Sequence, residues 1–295
     1  MTPHREARSA TLIATPRHGA GATLASNVGA ASERKQRRFS PLIDKLVAAV
    51  VTLASWQLIA DYVVGRKWIS SPLQVGARVW AMLMDGTLLI HAWQTFQEAI
   101  LGLLLGVVIG VATGMMLGRY KRLSEAVDPM VMGLYSLPRV SLAPLFIIWL
   151  GIGLSAKVAL CASIVLFVVL FNIREGVKAV DQDLVDAFRS MNASRMQMMR
   201  HVVLPSLVPW LITSIRISIG LSLIGAVVGE MIGASRGLGW YVTYTTGTYD
   251  ITGSITALFV LGVMAMGFNA VVSAIEKHVL SWRKERGTEL AGPVG

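Results

Sequence analysis

"LVDAFRSMNASRMQMMRHVVLP", Leu184 to Pro205, is the longest polar interruption between the hydrophobic stretches of this chain, and it reads as two capped helices. Asp183 is placed to cap a helix that begins at Leu184, and Asp181, Asp183 and Asp186 favour its positive N-terminal end. That helix is expected to stop near Asn192, because asparagine is second to glycine in the left-handed conformation that closes helices. Ser194 and Gln197 then make an S-x-x-Q capping box, which starts a second short helix expected to end in Arg200 and His201. Pro205 suits the first turn of the element that follows, where its missing N–H costs little.

Outward from this segment the chain is apolar. With 54% hydrophobic residues, 15% charged residues and a mean hydropathy of +0.60, it carries too much apolar surface for a soluble globule. The expected solvent is lipid. Runs able to cross a hydrocarbon core of about 30 Å lie near residues 46–64, 93–118, 129–150, 158–174, 206–229 and 254–276. The expectation is an all-α polytopic membrane protein of about six spans. The third run contains Pro138 and Pro144, so it is expected broken or kinked, with the freed carbonyls facing protein or a cavity.

Lys and Arg set the orientation. With the N-terminus in the cytoplasm, inside segments hold 20 of the 27 basic residues; only Arg66, Lys67, Arg78, Lys157 and Arg236 fall outside, and Arg139 and Arg216 lie within spans. This asymmetry predicts cytoplasmic N- and C-termini. It also accounts for the net charge of +10 without nucleic acid as a partner. Residues 1–40 lack apolar periodicity and read as a disordered basic tail, 41–285 as the membrane domain and 286–295 as a second tail. Arg37 to Leu42, RRFSPL, is similar to a twin-arginine export signal, but the run after it is span-length and no small-x-small cleavage site follows; a basic anchor is the better reading. The single cysteine, Cys161, sits in an apolar run and is read as a packing residue.

The quoted segment carries Phe188, Met191, Met196, Met198 and Met199 among Arg189, Arg195 and Arg200. Methionine clusters suit adaptable docking to a partner's groove. Packing on the membrane face or on the protein's own core is the other reading, and spacing alone leaves both open.

The spacing from Asp186-Ala187-Phe188 to Asn192 and on to Leu204-Pro205 resembles the EAA loop of ABC importer membrane subunits: Glu-Ala-Ala, three residues, Gly, nine residues, Ile-x-Leu-Pro. Asp stands for Glu, Phe for the second Ala, Asn for Gly and Val for Ile. "SSPLQV" near residue 70, "LGRYKRLSEAVDPM" (117–130), "SLPRVSLAPLFIIWLGIG" (136–153) and "VVGEMIGASRGLGW" (227–240) are similar to the nitrate, sulfonate and taurine branch of these permeases. The resemblance implies a type I importer fold whose loop, about 175–205, is a coupling helix seated in a cytoplasmic ATPase. Asp186, Ala187, Phe188, Met191, Asn192, Ser194, Leu204 and Pro205 would then carry coupling. It further implies an inner-membrane homodimer, a substrate-binding protein outside, ATP and magnesium on the ATPase alone, and a small anionic solute. Related permeases carry vitamin precursors and aromatic acids, so that alternative stays open.

"GLLLGVVIGVATGMMLG" places Gly102, Gly106, Gly110, Gly114 and Gly118 at four-residue intervals. Each step advances about 400°, giving a slowly drifting groove about 24 Å long along which another helix can approach. Ionisable residues in spans are functional candidates. Arg139, beside Tyr135, Ser136 and Ser141, either attracts an anion or satisfies loosened carbonyls; the structural role is preferred. Arg216 and Glu230 are fourteen residues apart, about 21 Å of helix, and cannot pair within one subunit. Arg216 is read as holding helix ends together and Glu230 as a candidate at an outer gate. Ser136, Arg139, Arg216 and Glu230 are thus the substrate-path candidates. No Gly-Lys dipeptide occurs, so the chain has no phosphate loop, and its five histidines have no ligand spacing. No enzyme or metal site is expected. A secondary transporter is the main rival, but internal repeats and coupling carboxylates are not evident.

Overall fold

The structure is a computed structural model, and it describes residues 41–63 and 68–279. The two tails, most of RRFSPL, and Arg66 and Lys67 lie outside the described residues. Residues 1–52 and 53–295 form two units, and the described part of the first is helical. All regular structure among the described residues is helical.

Helix α1 (Pro41–Leu58) runs into a widened turn at Ile59–Val63. Helix α2 (Pro72–Met84) starts on a capping box in which Ser71 Oγ accepts from the Gln74 N–H at 3.4 Å and the Ser71 N–H donates to Gln74 Oε1 at 3.2 Å. Before α3 (Thr87–Arg119), Thr87 donates its hydroxyl at 2.6 Å and its N–H at 2.9 Å to Asp85 Oδ1. Those bonds hold the Asp85 carboxyl below its ordinary range.

Among the described residues, five stretches are long and apolar enough to cross a membrane: Ile43–Val63, Thr87–Arg119, Leu154–Lys178, Arg195–Gly233 and Ile251–Val279. A sixth is the bent pair of α4 (Lys121–Ser136) and the segment Arg139–Leu150, which meet at 80°. The break falls where the prolines require it. Leu137 is extended, as a residue before proline prefers, and Pro138 opens a 3₁₀ turn at Arg139–Leu142. Pro144 is accommodated differently, in the first turn of α5 (Ala143–Leu150).

Helix α3 lies along α6 (Leu154–Lys178), and the glycine stripe is their seam. A Cβ placed at Gly106, Gly110 or Gly118 would stand 2.7 Å from Cβ of Val165, Val169 or Val177 respectively, and one at Gly102 would overlap Cys161. Lipid tails are as apolar as leucine, so burial alone does not hold these helices together. Dispersion does, at about 0.1–0.2 kcal/mol per close atom pair, and it needs the backbone approach that only glycine permits. Helix α9 (Leu204–Gly233) completes the core with Leu207, Ile219 and Leu223. Ser222 Oγ donates to Ala99 O at 2.5 Å, and Cys161 Sγ to Ser222 O at 3.3 Å, so Cys161 is a packing residue as expected.

Two helix boundaries differ from the sequence expectation. The helix α7 spans Gln182–Ser190 and is capped by Asp181, whose Oδ1 accepts from the Asp183 N–H at 2.9 Å. Asp183 therefore lies inside the first turn. The short helix α8 (Arg195–Met198) does not end at Arg200 and His201 but passes through a π turn, Met199–Val203, into α9. Pro205 explains this: it has no N–H to give, and its ring crowds the carbonyl four residues back. The wider turn, in which the Leu204 N–H donates to Met199 O, absorbs the ring without stopping the helix.

Helices α10 (Leu238–Gly247) and α11 (Ile251–Val279) follow. The turn between them contains Tyr249 at φ 58°, where a non-glycine residue costs about 1–2 kcal/mol.

Candidate functional site

The polar loop is built to hold one shape. At the end of α7 the Ala193 N–H donates to Phe188 O at 3.0 Å and the Asn192 N–H to Arg189 O at 2.9 Å, with Asn192 at φ 54°. This is a Schellman closure with asparagine in the left-handed position. Two residues later Ser194 Oγ accepts from the Gln197 N–H at 3.2 Å, and Gln197 Oε1 from the Ser194 N–H at 2.7 Å. The chain thus turns from one capped helix into the next, with the N–H groups of Asn192, Ala193, Ser194 and Gln197 all bonded.

The apolar side chains of the loop divide into two sets. Phe188 and Met198 are half-buried against Val180, Val185 and Val202, a small core belonging to the loop itself. Met191 and Met196 are exposed, at 78% and 75%. Neither reading of the methionines holds for all of them. Met191, Asn192, Phe188 and His201 border a cavity of about 330 Å³ on the loop surface. Asp186 and Arg189 pair at 3.1 Å in the open, a contact worth less than about 1 kcal/mol, so the Asp186 carboxylate stays available. Ala187 and Ser194 are exposed, Leu204 is 45% exposed and Pro205 half-buried.

At the opposite end of α9 the helices meet in a buried polar node. Lys157 Nζ on α6 lies 2.7 Å from Glu98 Oε1 on α3, with side chains 6% and 0% exposed, and Gln94 Nε2 donates to the same oxygen at 2.8 Å. Glu230, a neighbour of Glu98, accepts from Thr95 Oγ1 at 2.6 Å and from the Gly239 N–H at 2.6 Å. Thr95 Oγ1 also accepts from the Leu238 N–H at 2.8 Å, and His91 Nδ1 from the Gly237 N–H at 3.1 Å. Three successive N–H groups at the start of α10 are therefore satisfied by side chains of α3 and α9. Gly237 has φ 117°, and a Cβ there would collide with the Glu230 carboxylate. Glu230 is 1% exposed, and in this structure it clamps the start of α10.

Glu98 and Lys157 were absent from the sequence candidates. Glu98 stands inside an apolar run and the rule for ionisable residues in spans would have found it. Lys157 passes by position for a solvent-facing loop residue, yet it is buried against Glu98.

The remaining candidates do not converge. At the break in the bent pair, Arg139 Nη2 donates to Leu134 O at 3.2 Å and Tyr135 O at 3.1 Å, and its guanidinium lies 4.2 Å from the Phe167 ring centre. It caps the carbonyls that end α4 and covers an aromatic face. Ser136 Oγ donates to Met132 O at 2.9 Å. Arg216, midway along α9, pairs with Glu276 near the end of α11. Arg174 of α6 likewise holds Asp128 of α4.

Residues 102–284 match the family described as binding-protein-dependent transport system inner membrane components. The chain is 27% identical to the formylaminopyrimidine transport permease protein ThiX of Halalkalibacterium halodurans, over 86% of this chain and 100% of that one. It is 28% identical to the putative aliphatic sulfonates transport permease protein SsuC of Bacillus subtilis, over 90% of this chain and 96% of the other. Its fold is similar to a chain of the MetNI methionine ABC transporter, with a TM-score of 0.60 at 23% identity, over 66% of this chain and 97% of that chain. With the family match covering more than half its length, and with five apolar helices and one bent pair able to span a membrane, the chain belongs to the binding-protein-dependent inner membrane components as an ABC importer permease of type I fold.

Proposed function

We propose that two copies of this chain form the translocation path for a small anionic solute, with both termini and the 182–204 loop in the cytoplasm. A cytoplasmic ATP-binding-cassette ATPase, holding ATP and magnesium, receives the loop, and a solute-binding protein delivers cargo from the other side. The observation that carries this reading is the loop: a Schellman closure at Asn192 runs directly into a capping box at Ser194, and the pair leaves Met191, at the rim of an open cavity, and Met196 exposed. A lever transmits displacement only if it does not bend, and two satisfied caps supply that stiffness. Asp186, Ala187, Phe188, Asn192, Ser194, Leu204 and Pro205 position this surface. The family match and the excess of basic residues on the loop side support the partners and the orientation.

Likeness to a sulfonate permease supports an anion, whereas likeness to a formylaminopyrimidine permease favours a second reading, a vitamin precursor. An affinity screen of the cognate binding protein separates them. The coupling assignment is tested by changing Met191 and Met196 together to Asp. Both side chains are exposed, so the permease folds and inserts, while the charges disrupt an apolar docking surface. The expected result is loss of ATPase copurification and of binding-protein-stimulated hydrolysis. Undiminished stimulation would mean that Met191 and Met196 are not the surface on which the ATPase docks.

A further inference from the structure

The chain reverses direction between α10 and α11 on a second Schellman closure. The Asp250 N–H donates to Thr245 O at 2.8 Å and the Tyr249 N–H to Thr246 O at 3.2 Å, with Tyr249 in the left-handed position at φ 58°. Glycine or asparagine ordinarily fills that position, and a bulky aromatic residue there is an outlier that points to function. The ring gains nothing locally in exchange, for Tyr249 is 90% exposed. Everything around it is fixed. Asp250 is held by Arg78 of α2 and accepts from the Gly253 N–H at 3.0 Å, and Ser70 Oγ donates to Thr252 Oγ1 at 3.0 Å. Ser70 stands two residues after Trp68, itself 77% exposed. A rigid, strained turn therefore holds one tyrosine outward, and the Ser70–Thr252 bond ties that turn to the segment carrying the exposed Trp68.

Topology decides which side this is. Helix α9 leaves the polar loop and crosses to residue 233, so the 247–251 turn faces away from the loop. We infer that Tyr249, with Trp68, is the aromatic anchor on which the solute-binding protein docks; this rests on the importer reading proposed above. Tyrosine and tryptophan on rigid supports are the residues that dominate protein interfaces. An interfacial lipid belt also takes tyrosine and tryptophan, but it needs no fixed ring direction and would not require a left-handed residue.

The experiment reconstitutes permease and ATPase in liposomes and follows ATP hydrolysis against concentration of the cognate binding protein, alongside thermal unfolding of the solubilised complex. Tyr249→Gly removes the ring and the strain together. Its melting temperature should equal or exceed that of the native complex, while the binding-protein concentration for half-maximal stimulation rises about tenfold or more. Tyr249→Phe should stay within about threefold of native, because it keeps the ring. An unchanged half-maximal concentration in Tyr249→Gly overturns the inference, and if that variant also melts lower or inserts poorly, the ring belongs to the membrane interface. Failure of the binding protein to stimulate the unsubstituted complex overturns the importer reading and this inference together, and is recognisable because no substitution is involved.

Discussion

Among the described residues, two helices close on a left-handed residue other than glycine, and the two differ in what the position costs. Asn192 tolerates the conformation, whereas valine, branched at Cβ, does not. Asn192→Val should destabilise the loop by about 1–2 kcal/mol and reduce copurification of the ATPase, while Asn192→Gly should copurify as the native chain does. Equal recovery of the two variants would remove the hinge from the account. Asn192 is legible in the sequence because a capping box begins two residues later and leaves the helix nowhere else to end. Tyr249 is not legible. Gly247 precedes it and is the residue at which a reader would close α10. What moves the closure to Tyr249 is Asp250, bound to Arg78 more than 170 residues away in sequence, and no local pattern carries that contact. The same limit shifted the start of α7 from Asp183 to Asp181, since either aspartate satisfies the local preference for a cap.

At the scale of elements, the α3–α6 seam is the part that sequence spacing describes best and only by half. The glycines announce a groove. The ladder that fills it, Cys161, Val165, Val169, Ile173 and Val177, also recurs every four residues, but apolar residues in a span look the same whether they face a helix or lipid. Gly110→Leu should abolish the monodisperse peak of the solubilised permease in size exclusion, because even a Cβ at 110 stands 2.7 Å from Val169 Cβ and 2.8 Å from Leu166 O. Leu104→Ala, on a face that is 55% exposed, should elute unchanged. A normal profile for Gly110→Leu would mean that the seam is not where the helices are held. The π turn at Met199–Val203 was beyond sequence reading for a related reason: a proline one turn into a span is equally compatible with a helix start and with a helix that widens to pass it.

For the molecule as a whole, the decisive feature is the node joining α3, α6, α9 and α10. Replacing Lys157 by Met leaves Glu98 buried without its cation and should cost about 3–5 kcal/mol, read as a marked fall in melting temperature of the solubilised protein. Adding Glu98→Leu to Lys157→Met should recover most of that loss, since a buried pair replaced by apolar groups of similar size is often neutral. If the double variant melts as low as Lys157→Met alone, the lysine acts through something other than Glu98. The spans, their number and the break in the third were legible from hydropathy and proline; the node was not, because its members are contributed by separate runs and only packing brings them together. Their order along the chain has a consequence for biogenesis. Glu98 leaves the ribosome 59 residues ahead of Lys157, a delay of several seconds at ordinary rates of synthesis. Through that interval α3 carries a carboxyl that hydrocarbon opposes by a few kcal/mol, and the cation that answers it arrives only with α6.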